Sequence, residues 1–420
     1  MHGQFFRFQN RADRVQESRP FPRAKPTPMR SILIVLDSLG IGAAPDADRY
    51  GDWGADTLGH LFAHTPELAL PTLFSMGLGE VLAGAHRETA GLRASYGRMR
   101  VQSPGKDSMT GHWEMAGVIL TEPFTVFERL PPQLIEAIEA GANVQFLGRD
   151  GRVADRRDLW KQHALTGRPM IELIPGESAI EITGHETFIN RRQLYEIARI
   201  ARRHTNAHRI AKIIAQPLTG RSAAYVNAPG RHEYPMVPPR TVLNAISETG
   251  IVVEGIGKIS DLFARSGVTH SHPASTNAGA LASIERIWAQ MHDGLIVANL
   301  EEFDRHGHAR DVAAYAKSLS DFDLWLGNFL PRIGRDDLLI ITADHGNDPT
   351  FRGNDHTREE IPLLAHYDGI TRPLGTRKTV ADIAATLADF FHLRDPWAAG
   401  GPFLRFRPRE PSRFRSRRGA

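Results

Sequence analysis

The sequence predicts an α/β fold with a mainly parallel central sheet and a second, smaller α/β unit inserted into it. Short apolar runs at residues 31–36, 295–299 and 338–341 have the length and continuity of strands that are buried on both faces of a parallel sheet. A segment of different texture separates the first run from the other two. At 420 residues the chain is long enough for two domains.

Composition divides the chain into five parts. Residues 1–30 and 405–420 are rich in arginine and proline with little hydrophobic periodicity, which is typical of disordered extensions. The strand patterns occupy residues 31–119 and 242–404, and we expect these stretches to form one core domain. Between them, residues 120–241 alternate short β-prone pieces with helical runs, which predicts an inserted α/β domain. Met29 immediately precedes the first strand, so Met1 and Met29 are both candidate starts.

The net charge of +3 is the sum of basic and acidic parts of the chain. The two terminal extensions carry +5 and +6, which leaves −8 for residues 31–404 and argues against a general nucleic-acid surface. The apolar runs are too short to span a bilayer and no secretory signal is visible, so we expect a cytoplasmic protein without membrane contact. Because the chain has no cysteine, any metal must be held by carboxylate, imidazole or hydroxyl groups.

Polar segments at the ends of the predicted strands carry the candidate metal ligands. Ligands of open α/β sheets bind at the carboxyl ends of the strands, and carboxylate with imidazole is a donor set that divalent metals accept. The residues that follow the three strands are Asp37, Asp304, His308, Asp344, His345 and His356. Three acids with three histidines are enough for two adjacent divalent sites, which makes phosphoryl transfer the leading chemistry.

A hydroxyl nucleophile for such chemistry is found in residues 105–114, GKDSMTGHWE. The segment is dense in polar and small side chains, which suits a catalytic loop. We predict Ser108 as the nucleophile and the neighbouring Lys106 as a catalytic cation, with a solvated loop lysine as the alternative. Further on, the pattern predicts an amphipathic helix over residues 312–326 and a last helix from Val380 to Phe391 with Thr379 as its N-cap.

Five motifs in this order resemble those of the phosphopentomutase family in the alkaline phosphatase superfamily. They are DSLGIG at 37–42, GADTLGH at 54–60, GKDSMTGHWE at 105–114, GKISD at 257–261, and TADHGNDP at 342–349 with DHTRE at 355–359. The resemblance covers residues 31–404. It implies an alkaline-phosphatase-like core with a cap domain at 120–241, and interconversion of ribose 1-phosphate and ribose 5-phosphate or of the deoxyribose pair.

The resemblance also implies the cofactors and the roles of individual residues. Two Mn²⁺ ions are expected, with Mg²⁺ or Zn²⁺ as alternatives, and a bisphosphorylated sugar is expected as primer. One ion would be held by Asp37, Asp344, His345 and the nucleophile Ser108, and the other by Asp304, His308 and His356. The residues expected to contact the sugar phosphate are Ser178, Arg231, His232 and Lys258.

Three departures from the family pattern qualify this expectation. The family has threonine where this chain has Ser108, and four residues between the aspartate and the histidine where Asp304 and His308 have three, which makes His306 a rival ligand. A family arginine that binds substrate phosphate is replaced by Gln216. We therefore keep two alternatives open: a metal-dependent phosphohydrolase or mutase for another phosphorylated metabolite, and a non-catalytic sugar-phosphate-binding relative.

Overall fold

The computed structural model describes residues 29–82, 91–152, 156–221, 224–394, 397 and 399–406. Most of the two predicted terminal extensions lies outside these residues. Within them no helix is long and apolar enough to cross a membrane.

The described residues contain thirteen strands. In chain order these are β1 (Arg30–Leu36), β2 (Ser95–Met99), β3 (Met170–Leu173), β4 (Ala179–His185), β5 (Lys212–Arg221), β6 (Ala224–Asn227), β7 (His232–Pro235), β8 (Val253–Ile256), β9 (His270–His272), β10 (Gly294–Leu300), β11 (Leu338–Thr342), β12 (Ile361–His366) and β13 (Pro373–Arg377).

Twelve α-helices accompany the strands in the described part of the chain. They are α1 (Thr57–His64), α2 (Pro71–Ser75), α3 (Ser108–Met115), α4 (Pro132–Ala142), α5 (Arg156–Thr166), α6 (Arg191–Thr205), α7 (Val242–Glu248), α8 (Ile259–Leu262), α9 (Asn277–Gln290), α10 (Glu302–Ala309), α11 (Val312–Phe329) and α12 (Asp382–Phe390).

Eight strands form one large sheet in the order β13-β2-β12-β11-β1-β10-β8-β9. Five of the seven neighbouring pairs are parallel, and only the two pairs that involve β12 are antiparallel. Every residue of β10 and β11 is buried, as is every residue of β1 after Arg30. The predicted α/β fold with a mainly parallel sheet is therefore confirmed, and continuous apolar runs form its centre because both faces are covered.

A second sheet of five strands lies between β2 and β8 in the sequence. Its order is β3-β4-β5-β6. The end of β5 pairs with β6, and the start of β5 pairs with β7. Helices α4 and α6 pack on one face of this sheet, around Ile171, Ile180, Ile182, Ile213 and Ala215. This apolar cluster is separate from the one around the large sheet. Strand β7 contacts α6 and also contacts α8, which follows β8 of the large sheet.

The start of the last helix differs from the prediction. Helix α12 begins at Asp382, and Thr379 lies outside it. The Thr379 hydroxyl donates to Glu114 Oε1 at 2.6 Å and accepts from the Ala381 N–H at 3.1 Å. The buried carboxylate of Glu114 in α3 therefore binds the hydroxyl of Thr379, the residue that the sequence predicts as the N-cap.

Candidate metal centre

Three neighbouring strands bring the predicted acids to one edge of the large sheet. Strand β1 lies between β10 and β11 and is parallel to both, so their carboxyl ends meet. Asp37 directly follows β1, and Asp344 follows β11 after one residue. Asp304 lies in α10, which begins just after β10. The sheet order thus joins three acids that are far apart in the sequence.

The first candidate metal group consists of Asp37, Asp344 and His345, whose ligand atoms all lie within 4.8 Å of one another. His345 Nε2 is 3.2 Å from Asp344 Oδ2 and 3.6 Å from Asp37 Oδ1. All three residues are buried, and neither of those two carboxylate oxygens has a hydrogen-bond partner among the described residues. Because a buried carboxylate oxygen without a partner is costly, this donor set is suited to a cation.

The second candidate metal group consists of Asp304, His308 and His356. Asp304 and His308 are four residues apart in α10, so the helix places them on one face. His308 Nε2 is 3.4 Å from Asp304 Oδ2, and His356 Nε2 is 3.3 Å from Asp304 Oδ1. The rival His306 lies two positions from Asp304 and is not in the group found among the described residues. The shortened spacing fits a helical turn.

The two groups are adjacent. The ring centroids of His345 and His356 are 4.0 Å apart with the rings tilted by 38°, so one histidine from each group contacts the other. Together the groups offer three carboxylates and three imidazoles, a set of hard and borderline donors that fits Mn²⁺, Mg²⁺ or Zn²⁺. Two divalent ions held side by side would neutralise the charge of a phosphoryl group.

Burial and neighbouring charges set the ionisation of the first group. Burial, followed by the negative charge of Asp344, raises the pKa of Asp37 to about 7. Burial disfavours the charged form of His345, but Asp344 and Asp37 raise the pKa of its ring to about 10. At neutral pH the metal-free group therefore holds a proton on His345 that a cation must displace, so cation binding releases a proton.

The hydroxyl of Ser108 lies at the first group. Ser108 is the first residue of α3, and its Oγ is 3.0 Å from His345 Nε2. Asp107 is the N-cap of this helix and accepts from the Thr110 N–H at 2.9 Å, which fixes the turn that carries Ser108. The partial positive charge at the helix N-terminus favours an anion beside this hydroxyl.

A buried arginine holds the segment that leads to Ser108. Arg358 is 4% exposed, and its guanidinium donates to the backbone carbonyls of Val101, Ser103 and Gly105 at 2.6, 2.9 and 2.6 Å. It also donates to both oxygens of Asp46. A planar group with five donors satisfies all these acceptors at once, so Arg358 fixes the path of the loop before α3.

Lys106 forms ion pairs with two carboxylates. Its Nζ is 3.0 Å from Asp52 Oδ2 and 3.0 Å from Asp355 Oδ2. Asp355 immediately precedes His356 of the second group, so the lysine links the loop of Ser108 to that group. Its predicted catalytic role stays a prediction.

Lys258 reaches the first group, and a segment of the second sheet lies close to it. Lys258 Nζ is 3.5 Å from Asp37 Oδ2. His232 is the first residue of β7 and Arg231 directly precedes it, and β7 contacts the helix that begins directly after Lys258. Arg231 forms an ion pair with Glu233, and Lys258 contributes to lowering the pKa of Glu233 against the effect of burial. These predicted substrate-binding residues therefore lie on facing elements.

Ser178, directly before β4, and Gln216, in β5, both hydrogen-bond to backbone groups of the chain around the second sheet. Ser178 Oγ donates to the Thr125 carbonyl at 2.6 Å and accepts from the Ala211 N–H at 3.0 Å. Gln216 is 2% exposed, and its Nε2 donates to two backbone carbonyls, at 2.7 and 3.0 Å. The Gln216 amide, which replaces the family arginine, thus hydrogen-bonds to the backbone of its own sheet region. The expected contact of Ser178 with substrate stays a prediction.

Three further residues contact the metal groups and were not among the predicted ligands. Asn299 Nδ2 donates to Asp37 Oδ2 at 2.8 Å, and Asn347 Nδ2 donates to Asp304 Oδ1 at 2.9 Å. His112 Nδ1 lies 3.2 Å from Asp344 Oδ2 in the first group. A signal for Asn299 exists in the sequence, because it is the one polar side chain in the strand GLIVANL.

This chain is similar to a protein family and to several known proteins. A family model described as the Metalloenzyme superfamily matches residues 29–395. The phosphopentomutase of Syntrophotalea carbinolica is 39% identical over 373 residues, which are 87% of this chain and 95% of that protein. The phosphopentomutase of Caldanaerobacter subterraneus is 40% identical over 389 residues, 90% and 98% of the two chains. A phosphoglycerate mutase structure from Leishmania mexicana aligns with a TM-score of 0.47 and 12% identity, over 90% and 98% of the chains.

The family model thus makes this chain a member of the metalloenzyme superfamily, and its structure contains two groups of candidate ligands for divalent metals. Within that superfamily the chain belongs to the phosphopentomutase family, because it matches curated members at about 40% identity over nearly their whole length.

Proposed function

We propose that this protein interconverts ribose 1-phosphate and ribose 5-phosphate, or the corresponding deoxyribose phosphates, through a phosphorylated Ser108. The observation that carries the proposal is the position of the Ser108 hydroxyl, 3.0 Å from His345 Nε2 and beside two adjacent groups of metal ligands. A nucleophilic hydroxyl next to two cation sites is the arrangement that phosphoryl transfer needs.

We assign the ligands of the two ions from the two groups. Bound divalent ions would supply charge neutralisation for the phosphoryl oxygens, and Mn²⁺ is the proposed ion. The residues proposed to hold the first ion are Asp37, Asp344, His345 and Ser108, and those proposed for the second are Asp304, His308 and His356.

The residues of the chain would carry the transfer in two halves. In the first, the bond from phosphorus to Ser108 Oγ breaks as a bond to the free sugar hydroxyl forms, and that hydroxyl loses its proton. The product is a pentose bisphosphate. In the second half the bisphosphate lies in the reverse orientation, Ser108 Oγ takes the other phosphoryl group, and the released sugar oxygen takes up a proton. A bisphosphorylated sugar therefore serves as the primer that first loads Ser108.

Residues 120–241 are proposed to act as a cap over this site. The contact between β7 and α8 supports the proposal, because Arg231 directly precedes β7 and Lys258 directly precedes α8. The cations Arg231 and Lys258 would bind the distal phosphate and the site-facing phosphate of the sugar. A closed cap excludes water, and this exclusion distinguishes a mutase from a phosphohydrolase on the same core.

The test is incubation of the purified protein with ribose 1-phosphate, Mn²⁺ and a catalytic amount of ribose 1,5-bisphosphate. Ribose 5-phosphate and free phosphate are measured separately over time. We expect ribose 5-phosphate to form with little free phosphate. Free phosphate without the isomer would identify a phosphohydrolase instead. Neither product would contradict the proposed substrate and favour a different metabolite or a non-catalytic role.

A further inference from the structure

One oxygen of Asp37 is taken by an amide of the protein. Asn299 Nδ2 donates to Asp37 Oδ2 at 2.8 Å, while Asp37 Oδ1 is buried and has no hydrogen-bond partner among the described residues. Asn299 is 1% exposed and lies opposite Val35 in the pairing of β10 with β1. Its amide therefore reaches the carboxylate from a rigid neighbouring strand.

The acceptor end of the same amide is left unsatisfied. Asn299 Oδ1 is buried without a partner in the described part of the chain, and the same holds for Asn347 Oδ1. An asparagine that only supports the fold is expected to satisfy both ends, since an unpaired buried polar atom is costly. The donor contact with the carboxylate is thus what these two positions provide.

The second metal group has the same arrangement. Asn347 is fully buried, and its Nδ2 donates to Asp304 Oδ1 at 2.9 Å. The amide crosses helix α10 at Gly307, where an added Cβ would lie only 2.6 Å from Asn347 Cγ. Glycine is unfavourable inside a helix, so a helical glycine at this point is explained by the approach of the amide.

One oxygen of the third carboxylate, that of Asp344, also accepts a hydrogen bond, in this case from a backbone N–H group. The N–H of Ser38 donates to Asp344 Oδ1 at 3.1 Å, while Asp344 Oδ2 has no partner in the described residues. In each of the three ligand carboxylates, therefore, one oxygen is fixed by an N–H group of the protein. In the first group this leaves a single unpaired oxygen on each acid.

We propose that Asn299 and Asn347 are positioning residues that restrict Asp37 and Asp304 to one-oxygen coordination and thereby select against Ca²⁺. Ca²⁺ takes six to eight oxygen ligands and often binds both oxygens of a carboxylate, whereas smaller divalent ions accept fewer and more regular ligands. An amide that occupies one oxygen removes the two-oxygen mode. The proposal rests on the metal groups of the proposed function, but not on the identity of the sugar.

The experiment compares metal affinities rather than turnover. Metal-stripped wild-type protein, Asn299→Ala and Asn347→Ala are titrated with Mn²⁺ and separately with Ca²⁺ by isothermal titration calorimetry. In each variant one carboxylate oxygen loses its amide donor, so we expect the ratio of Ca²⁺ to Mn²⁺ affinity at that site to rise by about tenfold or more, the scale on which residues behind a metal ligand act. Each variant changes one group and leaves the other as an internal reference.

Two further variants separate selectivity from loss of folding. Gly307→Ala keeps Asn347 but pushes it from Asp304, and it should change the affinity ratio in the same direction as Asn347→Ala. Asn244→Ala removes a capping amide of α7 away from both groups and should leave the ratio unchanged. Thermal unfolding of the metal-free proteins checks that each variant is folded.

The possible results are distinct. An unchanged affinity ratio in folded Asn299→Ala and Asn347→Ala overturns the inference, even if both ions bind more weakly. A raised ratio supports it. A wild-type protein that binds Mn²⁺ and prefers it to Ca²⁺ but does not isomerise ribose 1-phosphate would contradict the proposed function and leave this inference standing.

Discussion

The buried carboxyl of Glu359 offers a test of how the site loops are held. Glu359 is 1% exposed and joins three segments of the site edge. Its Oε2 accepts from the backbone N–H groups of Gly42 and Thr57, and its Oε1 accepts from the hydroxyls of Thr57 and Thr357. In Glu359→Gln the carbonyl can keep the two backbone donors, and the amide can donate to the two hydroxyls, which are able to reverse.

The pH dependence of this contribution has a definite sign. Burial raises the pKa of Glu359 from 4.5 to about 7, although four hydrogen bonds oppose the change. Between these values the folded state binds more protons than the unfolded state, so this group's contribution to stability is complete below pH 4.5 and is lost as the pH rises through 7. The difference between 4.5 and about 7 corresponds to a loss of about 3 kcal/mol by pH 8.

The assay is urea unfolding of metal-free wild-type protein and Glu359→Gln at pH 5, 6, 7 and 8. Because glutamine imitates the protonated side chain, the two proteins should have similar unfolding free energies at pH 5, and the variant should be more stable at pH 8 by up to about 3 kcal/mol. Other titrating groups act equally on both proteins and cancel in the difference.

A matched control is Glu114→Gln. Both oxygens of Glu114 accept backbone N–H groups, from Gln102 and Val380 on Oε1 and from Ser103 on Oε2, and a backbone donor cannot reverse. An amide there must face an N–H group, so this variant should lose stability at low as well as high pH. The reasoning about Glu359 is refuted if Glu359→Gln behaves in the same way, with a constant loss from pH 5 to 8.

Three further predictions concern the site. Ser108→Ala should lose at least about 10³-fold in turnover and should not gain the phosphate adduct that intact-mass analysis detects in the wild type after incubation with the bisphosphate. Lys258→Met removes a cation that lies 3.5 Å from Asp37 Oδ2 and repels a divalent ion at the first group more strongly than it repels a proton, so Mn²⁺ affinity measured by calorimetry at low ionic strength should rise, and an unchanged affinity would contradict this placement of the lysine charge. Arg358→Lys cannot satisfy three loop carbonyls and Asp46, so unfolding free energy should fall by about 2 kcal/mol or more, and an unchanged value would contradict the anchoring role.

Some features of this protein are local enough to be predicted from the sequence. The runs SILIVL and LLII predict buried strands because four or five successive apolar residues are all removed from water only when both faces of a strand are covered. The structure gives β1 and β11 at these positions. An acid directly after such a strand is also a local signal, which is why Asp37 and Asp344 were predicted as ligands.

Other features depend on which elements become neighbours, and local periodicity contains no information on this. The strand order that places β1 between β10 and β11 joins residues about 300 positions apart, and only then do Asp37, Asp304 and Asp344 share one edge. The start of α12 differs from its local signal for the same reason, since Glu114 reaches Thr379 from another helix.

Residue type and short-range spacing are enough to predict the class of fold, the kinds of candidate metal ligand and a candidate nucleophilic hydroxyl. The tertiary structure alone decided which histidine joins Asp304, since α10 places His308 and not His306 on the same face. It also decided that Gln216 is used by backbone carbonyls and that Asn299 and Asn347 hold the ligand carboxylates. Those facts follow from burial, where a polar group takes the nearest available partner whatever its distance in the sequence.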